Sequence, residues 1–89
     1  MPSVYILLLE NGSYYVGATT DFARRLQEHN KCDHAGTKYS KPAKVLLVQE
    51  CATFSLARKI ESKLKRYKSR KLLEKIVREG SIDIKLLGA

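Results

Sequence analysis

At 89 residues and 44% hydrophobic content the chain can fill one core but not two, since a polypeptide this short hides only about 60% of its unfolded surface. No run approaches the 18 or so apolar residues of a membrane span, and residues 4–9 are too short, and too little preceded by basic side chains, for a signal peptide, so the expected location is cytoplasmic. The net charge of +8 is lopsided: residues 1–42 carry five Lys/Arg against four Asp/Glu, and residues 43–89 carry twelve against five, which points to a polyanionic partner, nucleic acid ahead of anionic membrane.

Residues 3–9 are β-branched and aliphatic and run into Glu10-Asn11-Gly12, a hairpin signal, with residues 13–17 as the returning strand, ended by Gly17. Side-chain parity separates the possible registers, because opposed residues share a face. A two-residue loop sets Leu8 opposite Tyr15 and puts Tyr5 and Tyr15 on different faces. A three-residue loop with Gly12 left-handed sets Leu7 opposite Tyr15 and Tyr5 opposite Gly17. The second register gathers Val4, Ile6, Leu8, Tyr14 and Val16 on one apolar face and is preferred; Tyr5 and Tyr15 then share the other.

Thr19, Thr20 and Asp21 offer caps for a helix over residues 21–30. At 100° per residue Phe22 and Leu26 form its buried stripe, with Ala23 at one edge and Arg25 and His29 at the other. Spacing therefore selects Arg25 over Arg24 as the arginine that reaches back to the sheet, and sets His29 one turn further along. The plain alternative is an Arg25 that lies over the core edge and a His29 that merely ends the helix.

Residues 31–43 lack periodicity and contain Gly36 and Pro42, so a loop is expected, with Lys38, Tyr39 and Lys41 suited to phosphate contacts. Cys32 and Cys51 read as reduced thiols. His29, Cys32 and His34 lie close together, but their spacing is not a standard zinc pattern. Residues 45–51 read as a third, largely buried strand.

A long helix follows over residues 54–68, broken near Ser69 and resumed over residues 70–79. Its buried stripe is Leu56, Ala57, Ile60, Leu64 and Tyr67. Residues 58–71 hold eight basic side chains and one acid, Glu61, on the border of that stripe. An i,i+4 pair with Lys65 is the modest explanation, worth a few tenths of a kcal/mol. The sharper one is a carboxylate that holds a divalent cation, since hard cations take oxygen ligands and a substrate phosphate can supply the rest. Gly80 ends the second helix, and residues 81–87 are read as a short edge strand. Phosphate-cradling glycine loops, serine triads and repeats are absent.

The pairing of V-Y-I (residues 4–6) with Y-V-G (residues 15–17), followed by D-F-A-R-R-L-Q-E-H (residues 21–29), H-A-G-T-K-Y-S (34–40) and A-R-K-I-E-S-K-L-K (57–65), resembles the GIY-YIG nuclease superfamily, in its small stand-alone members similar to the nuclease domain of structure-specific endonucleases. The resemblance covers nearly the whole chain. It implies an α+β fold in which a three-stranded antiparallel sheet is flanked by about three helices, one domain over residues 1–89, and an endonuclease that hydrolyses DNA phosphodiesters in repair or recombination.

By position, the resemblance makes Tyr5, Tyr15, Arg25, His29 and Glu61 the catalytic set, with Glu61 holding one divalent cation, Mg²⁺ or Mn²⁺. Lys38, Tyr39, Lys41, Arg58, Lys65 and Lys68 are the expected DNA contacts. DNA is the expected partner, with a second protein as a source of specificity; no membrane and no small-molecule cofactor are expected. Residues 3–5 read S-V-Y rather than G-I-Y, Ala18 stands where some repair-type relatives have lysine, and no asparagine follows Glu61. These departures keep open an alternative, a nucleic-acid-binding module of the same fold with weak or no catalysis.

Overall fold

The computed structural model describes residues 1–30, 42–67 and 69–82, with the backbone alone at residues 29, 30 and 42. Among these residues three strands and three helices follow one another as β1 (Ser3–Leu9), β2 (Tyr14–Thr19), α1 (Phe22–Asn30), β3 (Pro42–Glu50), α2 (Phe54–Tyr67) and α3 (Arg70–Glu79). The strands form one antiparallel sheet in the order β2-β1-β3. The architecture is the expected α+β arrangement.

The hairpin adopts the three-residue register. Leu7 stands opposite Tyr15 and Tyr5 opposite Gly17. Leu9 N donates to Ser13 O at 2.8 Å, and Gly12, at φ 86°, occupies the left-handed position that a side chain would disfavour. Asn11 Oδ1 accepts from Ser13 N at 2.9 Å and fixes the turn from within.

Alternation along β1 divides the molecule into two layers. Val4 and Ile6 join Val16 and Leu47 under Ala57, Ile60 and Leu64 of α2 and Ile76 of α3. Tyr5, Leu7 and Leu9 face the other way, where Tyr15 and the α1 residues Phe22 and Leu26 cover them. Each fully buried aliphatic side chain is worth about 1.5–3 kcal/mol. Exposed ion pairs such as Arg70–Glu74, at 3.2 Å, are worth less than about 1 kcal/mol, so the aliphatic layer and not the surface charge holds the fold.

Helix ends follow their caps. Thr53 Oγ1 accepts from Leu56 N at 3.1 Å and opens α2. Ser69 Oγ accepts from Leu72 N at 3.2 Å, breaking the long basic segment in two, and left-handed Gly80 returns its N–H to Ile76 O at 2.9 Å to close α3.

Four expectations are corrected. β2 continues through Gly17 to Thr19, because Gly17 keeps an extended backbone and stays paired with Tyr5. β3 begins at Pro42 rather than residue 45, which also removes residues 42 and 43 from the expected loop, and it is an edge strand: Val45 and Val48 are 38% and 40% exposed, and a register shift opposite Ile6 and Leu7 skips Leu46. Tyr67 is 52% exposed instead of buried, since it stands at the last turn of α2, beyond the sheet that covers Ile60 and Leu64. Cys51 lies just past β3, a buried free thiol whose N–H donates to Pro2 O at 2.8 Å. Residues 31–41, with Cys32 and His34, and the proposed strand beyond residue 82 lie outside the described residues.

Candidate active site

The hairpin register decides where the tyrosines sit. Tyr5 and Tyr15 share the α1 face, with ring centroids 6.3 Å apart, and the Phe22 ring lies 5.3 Å from that of Tyr5. Gly17 makes this possible through space: a Cβ there would overlap Cζ and Oη of Tyr5 and come within 2.9 Å of Cε2. The glycine of Y-V-G is thus the floor on which the first tyrosine lies.

α1 is launched by a tight polar turn. The buried Thr19 hydroxyl accepts from Asp21 N at 3.0 Å and donates to Asp21 O at 3.1 Å, while Asp21 Oδ1 caps the helix by accepting from Arg24 N at 3.2 Å. Starting the helix there turns Arg24 outward, to pair with Glu28 at 3.7 Å, and turns Arg25 inward. Arg25 Nε is buried and has no hydrogen-bond partner among the described residues. A buried donor without a partner costs about 1–3 kcal/mol, a cost a fold retains where something else is to be bound.

Glu61 arrives from α2, on the border of the stripe formed by Ala57, Ile60 and Leu64. Its side chain is 26% exposed, and Lys65 Nζ stands 3.9 Å from Oε2. The same ammonium lies 5.5 Å from the centroid of the Tyr15 ring, so Lys65 ties Glu61 to the tyrosine pair around the β2 edge of the sheet.

The electrostatics of the four groups are opposed. Burial pushes the Tyr5 phenol far above its ordinary value; the neighbouring Tyr15 adds to this, as do the carboxylates of Glu61 and Glu28, while Arg25 pulls the other way. Tyr15 is raised as well, by burial first and then by Glu61, and is again pulled down by Arg25. Both phenols therefore keep their protons at neutral pH. Glu28 is a neighbour that sequence reasoning missed; its spacing of three residues from Arg25 on α1 was the available sign.

Among the described residues no group of three or more His, Cys, Asp and Glu side chains forms a metal cage. Glu61 can offer carboxylate oxygens, and one such ligand fits Mg²⁺ or Mn²⁺, which keep several waters and take a phosphate as a further ligand. Arg58 lies one turn before Glu61 with its guanidinium 5.9 Å from the Phe54 ring centroid, on the exposed side of α2. His29 follows Arg25 by one turn of backbone, and its side chain, with Lys38, Tyr39, Lys41 and Lys68, lies outside what is described.

A family model described as the GIY-YIG catalytic domain matches residues 1–74. A UPF0213 protein of Fusobacterium nucleatum is 35% identical over 71 residues, 76% of this chain and 69% of that protein. One from Streptococcus pneumoniae is 41% identical over 68 residues, 73% of this chain and 67% of the relative, and one from Listeria welshimeri is 41% identical over 65 residues, 70% of each. No solved structure matches significantly. With its hairpin tyrosines, helix arginine and α2 glutamate, the chain belongs to the GIY-YIG family of nuclease domains.

Proposed function

We propose that the protein is a metal-dependent endonuclease that hydrolyses DNA phosphodiester bonds, selective for DNA structure and serving repair or recombination, with a partner protein as a further source of specificity. One observation carries the reading: the buried Arg25 Nε, without a hydrogen-bond partner among the described residues, stands in the same electrostatic neighbourhood as two phenols and the carboxylates of Glu61 and Glu28. Such a set can hold a phosphate and stabilise the charge that builds on it. Glu61 would hold the cation, which supplies positive charge against the scissile phosphate and offsets the carboxylate field on the phenols.

Arg25 donates to a non-bridging phosphate oxygen as negative charge develops there. Tyr5, fully packed between Gly17 and Phe22 and held firmly protonated, donates its O–H and orients. Tyr15, partly exposed and under the Lys65 ammonium, is the phenol better placed to give up its proton to solvent once a bound cation would offset Glu61, and as the phenolate it takes the proton of the attacking water. In the displacement the water oxygen forms the new P–O bond, and the bond to the sugar oxygen breaks with its electron pair going to that oxygen, which takes up a proton from solvent.

The test is nicking of branched, single-stranded and duplex DNA with Mg²⁺ or Mn²⁺, beside Arg25→Ala and Glu61→Ala. Both variants are expected to fold and to lose activity. Cleavage that survives in both would overturn the reading. A binding module without catalysis is favoured by one observation, that Glu61 raises both candidate bases. It requires tight, salt-steep DNA binding and no cleavage under any metal.

A further inference from the structure

A half-open cleft of about 350 Å³ lies between the start of β2 and the junction of α2 with α3. Tyr14, Tyr15, Leu64, Lys65, Arg70 and Leu73 form its walls. The Arg70 guanidinium lies 4.4 Å from the Tyr14 ring centroid and is braced there by donating from Nη1 to Gly12 O at 3.0 Å and from Nε to Glu74 Oε1 at 3.2 Å. The result is a slot with flat and aliphatic sides and a cationic rim. Two of its lining residues, Tyr15 and Lys65, also belong to the proposed active site, where Lys65 pairs with Glu61.

We propose that this cleft receives one unpaired nucleotide of the DNA, so that the preferred substrate carries an unpaired base beside the scissile phosphate. The inference rests on the nuclease reading and adds the substrate class to it. Three features select this occupant. The volume is at the small end of ligand sites, roughly 300–1,000 Å³, which suits one nucleoside and not a base pair. Leucine sides and a guanidinium stacked on a tyrosine suit the faces of a base, whatever its identity. Lys65 and Arg70 at the rim suit the attached phosphates, on a chain of net charge +8. Tyr15, which lies in the field of Arg25 and Glu61, and Lys65, which pairs with Glu61, both line the cleft, so a nucleotide held here would sit beside the proposed catalytic groups. A base pair cannot enter, so a fully paired duplex loses these contacts.

The test measures binding by the intact chain in EDTA, where cleavage is suppressed, to a duplex with a single unpaired 2-aminopurine and to the same duplex fully paired. The unpaired substrate is expected to bind about tenfold more tightly, the worth of one stacked base, with its fluorescence quenched on binding. Leu73→Trp, which fills the slot, and Arg70→Gln, an exposed substitution that removes the flat cation, should each bring the two affinities within about twofold. Equal affinities in the unmodified chain, or a preference that survives both variants, would sink the proposal. So would a free deoxynucleoside monophosphate that displaces the paired and unpaired DNA alike at concentrations below those of the DNA. Metal-dependent cleavage without the preference would refute the cleft alone, and the preference without cleavage under any metal would refute the nuclease reading alone.

Discussion

Tyr5 and Ile6 are adjacent in the chain, equally hidden from solvent, and surrounded by different chemistry. Ile6 lies in a mainly aliphatic layer with Val4, Val16, Ile60 and Leu64. Tyr5 lies in a layer of rings and ionisable groups, with Tyr15, Phe22 and the field of Arg25 and Glu61. The period-two alternation of one strand thus separates the aliphatic core from the proposed site by a single residue. Among the described residues the aliphatic layer has no buried polar side-chain atom without a partner, whereas the aromatic layer keeps the Arg25 Nε without one and two phenols held above their ordinary values. Tension of this kind is characteristic of sites built to bind something further.

The comparison breaks most sharply if the two layers are damaged one at a time. Ile6→Ala should cost about 2–5 kcal/mol of unfolding free energy in a denaturant titration, and the surviving folded fraction should cleave at the original rate. Arg25→Leu should do the opposite. It retains the aliphatic stem over the core and removes the buried donor, so stability should stay level or rise, while the cleavage rate falls by about 10²–10³, the loss expected for one preorganised donor. If Arg25→Leu instead lowers stability and leaves the rate intact, Arg25 is a packing residue and the division between the layers is wrong.

Gly17→Ala tests the boundary between the layers. The added methyl has no free space, because it meets Cζ and Oη of a fully buried ring, and the phenol must move. A loss of about 1–3 kcal/mol is expected from overpacking, together with a fall in rate, since the displaced ring no longer sits 6.3 Å from Tyr15. Restoration of stability by Tyr5→Phe in the same chain would show that the clash is with the hydroxyl. Restoration only by Tyr5→Leu would place it on the ring.

What was legible in the sequence was whatever period and turn chemistry control. Parity together with Gly12 chose the hairpin register, helical spacing chose Arg25 over Arg24, and the border position of Glu61 foretold its pair with Lys65. What was hidden depends on neighbours remote in the chain. Gly17 read as a strand breaker because its spatial partner, the Tyr5 ring, lies across the sheet. Val45 and Val48 read as core because composition does not say which strand will be the edge. Arg70 read as one more basic residue, since its stack on Tyr14 and its bond to Gly12 join segments 58 residues apart.

The smallest effect examines the aromatic layer by itself, through pH. In the folded chain the Tyr5 phenol titrates above its ordinary 10.0, with burial as the first cause, so the unfolded chain gives up this proton first as pH rises. The contribution of the buried phenol is therefore complete below pH 10 and is lost progressively above it, by about 1.4 kcal/mol at pH 11 for one such group. Tyr15 is shifted in the same direction and adds to the slope. Tyr5→Phe should consequently leave stability between pH 7 and pH 9 changed only by a constant, and should make the decline above pH 10 shallower. Ile6→Ala should lower the whole curve without altering its alkaline slope, because the substitution removes no titrating group. Parallel alkaline slopes in wild type and Tyr5→Phe would mean that the phenol already titrates normally in the fold. The contrast between the two layers would then rest on Arg25 alone.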